Sequence, residues 1–407
     1  MQQKTPVRIK FLLKWMLVLA ILSICVGSLS AFFLYLLNVV TSTREINNWL
    51  LYFLPLAGVF IVWGYNRYGG EASKGNELLF FRYYNPRDTI PLKMAPMVIL
   101  GTLVTHLFGG SAGREGTAIQ YGGTIADQIS KHTGFSKRGQ RILLLCGIAA
   151  GFSSLFGTPL AGSVFALEFV KKGRFRWYGL PLVLLSSFFA TWVCNQYGNL
   201  HTHYDPIKLA PTFDFKILLY LALAGFAFGT AARLFYHLNH SISWAFRKIN
   251  QPLVRPLVGG ILVLLTVWLL QTTKYIGLGI PAILESFIHV ASPTDFFIKM
   301  LLTSITLCAG FKGGEVTPLF FIGATLGSAL SPYIPIPIAL LTALGFVGVF
   351  AGCTKTPIGC TFMAIELFGW ENAHYYLLVC LISFLVSGRK GIYHTQKNSR
   401  LIRQKQT

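Results

Sequence analysis

Three glycine-rich turns hold the residues of this 407-residue chain whose types and spacing could do chemistry. The first is Gly109-Gly110-Ser111-Ala112-Gly113-Arg114-Glu115-Gly116-Thr117, running into the apolar stretch Ala118-Ile119-Gln120-Tyr121-Gly122-Gly123. The second is Lys312-Gly313-Gly314-Glu315-Val316-Thr317-Pro318-Leu319-Phe320, and the third is Ser73-Lys74-Gly75-Asn76-Glu77. Glycine lets the backbone turn sharply and expose its N–H groups, and a helix that starts there points the positive end of its dipole back at them. Such a turn is an anion site. Glu115 places a carboxylate on the same N–H groups that would hold a free anion. A carboxylate competing with an anion for one site acts as a gate, and one that must take up a proton to leave couples anion movement to protons. In a soluble protein the same glutamate would read as a cap on its own helix. At membrane depth an ionisable side chain costs about 2.5–3.5 kcal/mol, which favours a functional role.

The elements that must position these turns belong in a bilayer. The chain is 53% apolar and only 12% charged, against about 25% charged in soluble domains. Secreted, fibrous and disordered classes are excluded. The excess of 35 Lys+Arg over 14 Asp+Glu sits at the ends of apolar segments, so it reports orientation in the lipid bilayer and implies no nucleic-acid partner. Seven cysteines stand singly in apolar stretches, and His106 and His374 lack a partner at metal-ligand spacing. Neither a disulfide framework nor a metal site or cofactor is expected. No Ser/His/Asp, HExxH or CxxC arrangement supports an enzyme.

Apolar runs near 20 residues, enough to span, fall at roughly 11–41, 48–66, 92–108, 138–156, 177–196, 214–247, 256–273, 294–310, 335–352 and 372–387. Shorter apolar pieces at 115–130, 159–170, 317–330 and 357–369 open on Gly or Pro and read as broken helices that begin inside the membrane. The first run is too long for a secretory signal and is expected to be retained. Basic residues without acids at 1–14 and 388–407, with the loops 171–176 and 247–255, place both termini in the cytoplasm of a multi-pass cell-membrane protein.

Pro159-Leu160-Ala161-Gly162-Ser163-Val164-Phe165-Ala166-Leu167-Glu168 aligns with Pro357-Ile358-Gly359-Cys360-Thr361-Phe362-Met363-Ala364-Ile365-Glu366, 198 residues later. A displacement near half the chain indicates two homologous halves with the site between them. The expected organisation is a cytoplasmic segment 1–11, a first membrane repeat 12–196, a linker 197–211, a second repeat 212–387 and a cytoplasmic segment 388–407 without a regulatory domain.

Gly113-Arg114-Glu115-Gly116, Gly314-Glu315-Val316-Thr317-Pro318, the segment from Ala149-Ala150-Gly151-Phe152 to Glu168, and the late Tyr393 together resemble the CLC family of voltage-gated chloride channels and antiporters. The resemblance covers about residues 12–396. It implies an all-α integral membrane protein of the CLC-type fold, with two inverted-topology repeats and broken helices, assembled as a homodimer with one pathway per subunit.

The departures narrow it. Chloride-handling members carry Gly-Ser-Gly-Ile-Pro at the third turn described above and proline after Gly-Arg-Glu-Gly. Here stand Gly75-Asn76-Glu77-Leu78-Leu79 and Thr117, Val316 replaces the family phenylalanine, and Phe169 falls at the inner proton-relay glutamate. These features resemble the fluoride-exporting branch, although Glu77 stands where that branch usually has Asn.

Fluoride is small and strongly hydrated, so its site must return hydrogen bonds. Asn76, Thr317, Tyr393 and the backbone N–H groups around Gly116, Thr117 and Val316 are the candidate anion ligands, with Glu115 as gate and proton carrier. Spacing alone reads Asn76 and Thr317 equally as helix caps; the resemblance decides for binding. Lys312 and Lys355 either draw anions into a vestibule or snorkel to the interface. Arg114 is expected to anchor its loop, and Glu168 and Glu366 to be structural or vestibule acids. The expected function is a fluoride/proton antiporter exporting cytoplasmic fluoride, useful where HF enters cells from acidic surroundings. The alternative is a chloride channel or chloride/proton exchanger of the same family.

Overall fold

The computed structural model describes residues 5–85, 89–170, 177, 179–198, 200–208 and 214–393. The basic loop 171–176, Lys4 and the tail bases from Lys397 to Lys405 lie outside the described residues. Among those described, the regular structure is helical, with a single isolated bridge in place of any strand. The first half comprises α1 (Thr5–Ile46), α2 (Leu54–Gly64), α3 (Asn76–Tyr84), α4 (Met94–Leu107), α5 (Glu115–Thr133), α6 (Lys137–Phe156), α7 (Pro159–Phe169) and α8 (Leu180–Asn195). The second comprises α9 (Phe215–Arg247), α10 (Val254–Leu270), α11 (Ile280–Glu285), α12 (Asp295–Cys308), α13 (Val316–Leu330), α14 (Ile338–Thr354), α15 (Pro357–Phe368) and α16 (Ala373–Val386).

Among the described residues, four stretches are long and apolar enough to cross a membrane: Ile9–Ile46, Asn48–Tyr84, Lys137–Phe156 and Phe215–Arg247. Several runs expected to span are shorter than the sequence suggests. The helices α4, α12 and α16 have 14 residues each, about 21 Å of helix against a hydrocarbon core of about 30 Å. Glycine explains their stops. Gly109, Gly310 and Gly388 take φ of +81°, +109° and +76° just beyond the three helices, a region other residues avoid. The expected run 48–66 is also subdivided. It starts in a 3₁₀ turn, continues as α2, and passes through a π turn at Tyr65–Gly69 and a second 3₁₀ turn before α3 begins.

The halves repeat their packing. In α5 and α6, a Cβ on Gly122 would lie 2.2 Å from the Gly147 carbonyl oxygen. In α13 and α14, a Cβ on Gly323 would lie 2.0 Å from the Gly345 carbonyl oxygen. Small residues let these backbones touch, which is how apolar helices associate where lipid removes the hydrophobic drive between them.

The aligned segments α7 and α15 lie against each other and cap one another. Glu366 near the end of α15 accepts the N–H groups of Leu160 (2.8 Å) and Ala161 (2.7 Å) at the start of α7. Glu168 near the end of α7 accepts that of Gly359 (3.0 Å) at the start of α15. Each acid therefore answers the positive helix end of the other half.

An amide keeps one acceptor oxygen but loses the charge, and at Glu366, whose two oxygens each take an N–H, it leaves one donor facing an NH2 group. Glu366→Gln and Glu168→Gln are each expected to destabilise the protein by about 2 kcal/mol, read as a lower melting temperature in detergent; unchanged melting would contradict the reciprocal caps.

Candidate functional site

The N-termini of α5 and α13, one from each half, meet at the turns that precede them. Gly113 N–H donates to the Gly314 carbonyl (2.6 Å) and Gly314 N–H to that of Gly113 (2.8 Å). Nothing larger than glycine fits this crossing. A Cβ on Gly314 would lie 2.8 Å from Gly116 N, and one on Gly113 would lie 3.0 Å from both Gly314 O and Thr317 N.

The last turns of α4 clamp both strands of the crossing. Thr105 O accepts Gly110 N–H (2.8 Å) and Thr105 Oγ1 accepts Lys312 N–H (3.3 Å). The buried His106 ring lies between two carbonyls, Nδ1 at 2.8 Å from Thr102 O and Nε2 at 3.1 Å from Ala112 O. On the opposite side Ser111 binds α12, its N–H donating to Thr306 Oγ1 (3.2 Å) and its Oγ lying 3.0 Å from Thr303 Oγ1. Lys299, also on α12 and fully buried, donates to the carbonyls of Tyr275 (3.0 Å) and Gly277 (2.8 Å). Gly277 N–H in turn donates to Gly110 O (3.1 Å). The turn before Glu115 is thus fixed from both halves of the chain.

Glu115 is fully buried, and its carboxylate sits on the N-terminus of the other half's helix. Thr317 Oγ1 donates to it at 2.7 and 2.8 Å from the two oxygens, and Thr317 N–H donates at 3.1 Å. Arg114 N–H adds a bond of 3.2 Å and the Arg114 guanidinium lies 3.8 Å away. Charge-assisted bonds at the positive end of a helix are the surroundings a bound anion would need. The N–H groups of Gly116 and Val316 have no acceptor among the described residues. They are donors left over for a second anionic group.

Asn76 opens α3, and its amide nitrogen lies 3.9 Å from where a Gly116 Cβ would be. Its carbonyl oxygen is buried without a partner among the described residues. A buried ion pair between Arg82 and Asp127 holds α3 against α5, and Arg141 donates to the carbonyls of Tyr83 (2.9 Å) and Tyr84 (3.1 Å) at its far end. Tyr393 is buried against Phe169 (4.7 Å between ring centroids) and Phe80 (6.1 Å). Its hydroxyl has no partner among the described residues. Phe169 forms an apolar wall with Phe80 (4.6 Å).

The structure therefore gathers Asn76, Gly116, Val316 and Thr317 at Glu115, and sets Tyr393 against Phe80 and Phe169. Three other candidates have other partners. The Thr117 hydroxyl lies 2.7 Å from that of Thr102, and its N–H donates to Arg114 O at 3.1 Å. Lys312 Nζ lies over the Tyr65 ring at 4.1 Å. Lys355 closes the end of α14 in a left-handed conformation, with Nζ 2.6 Å from Ser387 Oγ. One acid outside the candidate set now joins the site. Glu315 stands directly before α13 and, with Glu77, Asn239, His240 and Arg247, lines a cavity of about 600 Å³ leading to the crossing. Its position between Gly314 and Val316 in the second turn was the available signal.

The model of the voltage gated chloride channel family matches residues 57–388. A chloride/fluoride channel protein of Pseudomonas syringae pv. tomato is 42% identical over 394 residues, covering 95% of this chain and 87% of that protein. Among solved structures, the crystal structure of a CLC-type fluoride/proton antiporter superposes with a TM-score of 0.91 at 34% identity, over 95% of this chain and 98% of that one. The X-ray structure of a slow cyanobacterial Cl⁻/H⁺ antiporter has the same fold, with a TM-score of 0.78 at 18% identity over 96% and 98%.

The crossing makes a direct prediction. Gly314→Ala should push the two turns apart and lower anion efflux from proteoliposomes at least tenfold, while Gly64→Ala, where a Cβ meets nothing within 4 Å, leaves it unchanged. Equal efflux from the two variants would show that the bridge is dispensable.

Proposed function

The chain belongs to the voltage gated chloride channel family, and from that premise we propose that it is a fluoride/proton antiporter of the cell membrane, with both termini cytoplasmic, that exports fluoride in exchange for protons. The observation that carries this reading is the Glu115 carboxylate seated on the N–H and hydroxyl of Thr317. A carboxylate in that seat excludes an anion from the same donors. When Glu115 takes a proton it loses the charge that holds it there, and an anion from the inner cavity replaces it on Thr317 and on the N–H groups of Gly116 and Val316. The returning carboxylate gives up its proton and displaces the anion. Each cycle moves anion and proton in opposite directions.

Several features favour fluoride as that anion. The donors are an amide, two hydroxyls and backbone N–H groups, on Asn76, Thr317, Tyr393, Gly116 and Val316. Together they return strong hydrogen bonds to a small, hard anion stripped of water. Similarity to the fluoride/proton antiporter structure and to the chloride/fluoride channel protein supports the same choice. Phe169 provides no titratable group, so the proton approaches through acids on the cavity wall. Glu315 is the nearer in sequence to Thr317. The homodimer implied by the family is part of the proposal, and the apolar side chains of Phe188, Trp192 and Leu381 exposed on α8 and α16 suit a partner or lipid.

The test is flux in proteoliposomes read with fluoride, chloride and pH electrodes. Fluoride leaving down its gradient should drive protons inward against theirs, and Glu115→Gln should reduce that proton flux to background. Uphill proton flux that survives Glu115→Gln would rule out the exchange. Chloride leaving as fast as fluoride would favour the chloride transporter of the same family. Thr317→Val removes a charge-assisted donor worth about 1.5–3 kcal/mol, so half-maximal transport should need roughly ten- to hundredfold more fluoride. An unchanged concentration dependence would remove Thr317 from the site.

A further inference from the structure

A cluster of basic residues lies apart from the crossing, where α16 ends beside α9. The chain reverses at Gly388 and carries Arg389 and Lys390 back toward Arg233 and His237. These four residues, with Tyr236 and Ser387, surround a cavity of about 380 Å³. The sequence holds no Asp or Glu between residues 215 and 284 or between 372 and 407. Neither element that builds the pocket can therefore supply a carboxylate, and none lines it among the described residues. Cations crowded into one pocket repel each other until an anion joins them. Guanidinium and ammonium groups together suit a phosphate, the first by paired hydrogen bonds and the second as a point charge.

The surroundings identify the source of that phosphate. Leu234, beside Arg233, and Leu385, two residues before Ser387, are 41% and 71% exposed. Cations flanked by bare apolar side chains, where α16 ends against the middle of α9, match a phospholipid, its headgroup on the bases and its chains along the leucines. The volume far exceeds what one halide needs. We propose that this pocket binds the phosphate headgroup of an anionic phospholipid. Tyr236 makes the consequence specific, because it also lines the inner cavity that holds Glu77 and Glu315. Lys390 Nζ lies 5.8 Å from its ring centre, and its ring stacks on His240 (6.2 Å, 12°). A lipid held by Lys390 bears on the wall of the anion's approach.

Melting of the purified protein in detergent, with added lipid, tests the site without relying on transport. Dioleoylphosphatidylglycerol should raise the melting temperature by several degrees, since a ligand that binds only the folded state stabilises it, and dioleoylphosphatidylcholine should not. The shift should vanish in Arg233→Gln/Lys390→Gln and persist in the charge-keeping Arg233→Lys/Lys390→Arg. Lys390 is exposed, so Lys390→Gln alone, which leaves the helices intact, should at least halve it. Equal shifts from the two lipids would overturn the proposal, as would a full phosphatidylglycerol shift in the Gln variants. Sodium phosphate alone reproducing the shift would replace the lipid by a soluble anion and overturn it too.

Discussion

Two helix N-termini from opposite halves of the chain are held in contact at Gly113 and Gly314, and the site depends on that contact. The two reciprocal hydrogen bonds place the start of α13 beside Glu115. Isolated, each N-terminus would offer a few unpaired N–H groups and a partial positive charge. Crossed, they put the carboxylate of one helix on the donors of the other. Glycine is required because the backbones approach to distances at which any Cβ collides.

The rest of the fold supplies rigidity to this point. The residues Thr102, Thr105 and His106 grip it from α4, and Ser111 ties it to Thr303 and Thr306 of α12. Further away, the Glu168 and Glu366 caps bind the halves together through α7 and α15. Buried polar groups in a membrane protein are costly unless paired. Here most of those near the site are paired; among the described residues the exceptions include Asn76 Oδ1, Arg114 Nε, Tyr393 Oη and the N–H groups of Gly116 and Val316, of which the N–H and O–H groups are free to donate.

Much of this was legible in the residues themselves. Glycine-rich turns before apolar runs announced the helix starts, and the ten-residue match ending at Glu168 and Glu366 announced the halves. The structure added which half answers which. Glu115 was expected on N–H groups of its own turn, yet Thr317 of the other half holds it most closely, because local pattern says nothing about a contact 202 residues apart. Lys312 and Lys355 could not be placed from composition, since a lysine stem reaches a ring or a hydroxyl as readily as a vestibule. Tyr393 was singled out by resemblance alone; a single tyrosine after the last helix carries no periodic signal. The expected runs 92–108, 294–310 and 372–387 stop at the same glycines as α4, α12 and α16, and exceed those helices by only one or two residues at each end.

If a carboxylate and the transported anion share one seat, binding the anion requires protonating or displacing the carboxylate. Calorimetric titration of fluoride into the purified protein at neutral pH, repeated in buffers of different ionisation enthalpy, measures the protons taken up per fluoride bound. A shared seat requires about one proton per fluoride in the wild type, by the linkage between ligand and proton binding, and none in Glu115→Gln. Fluoride binding to the wild type with no proton uptake would contradict it.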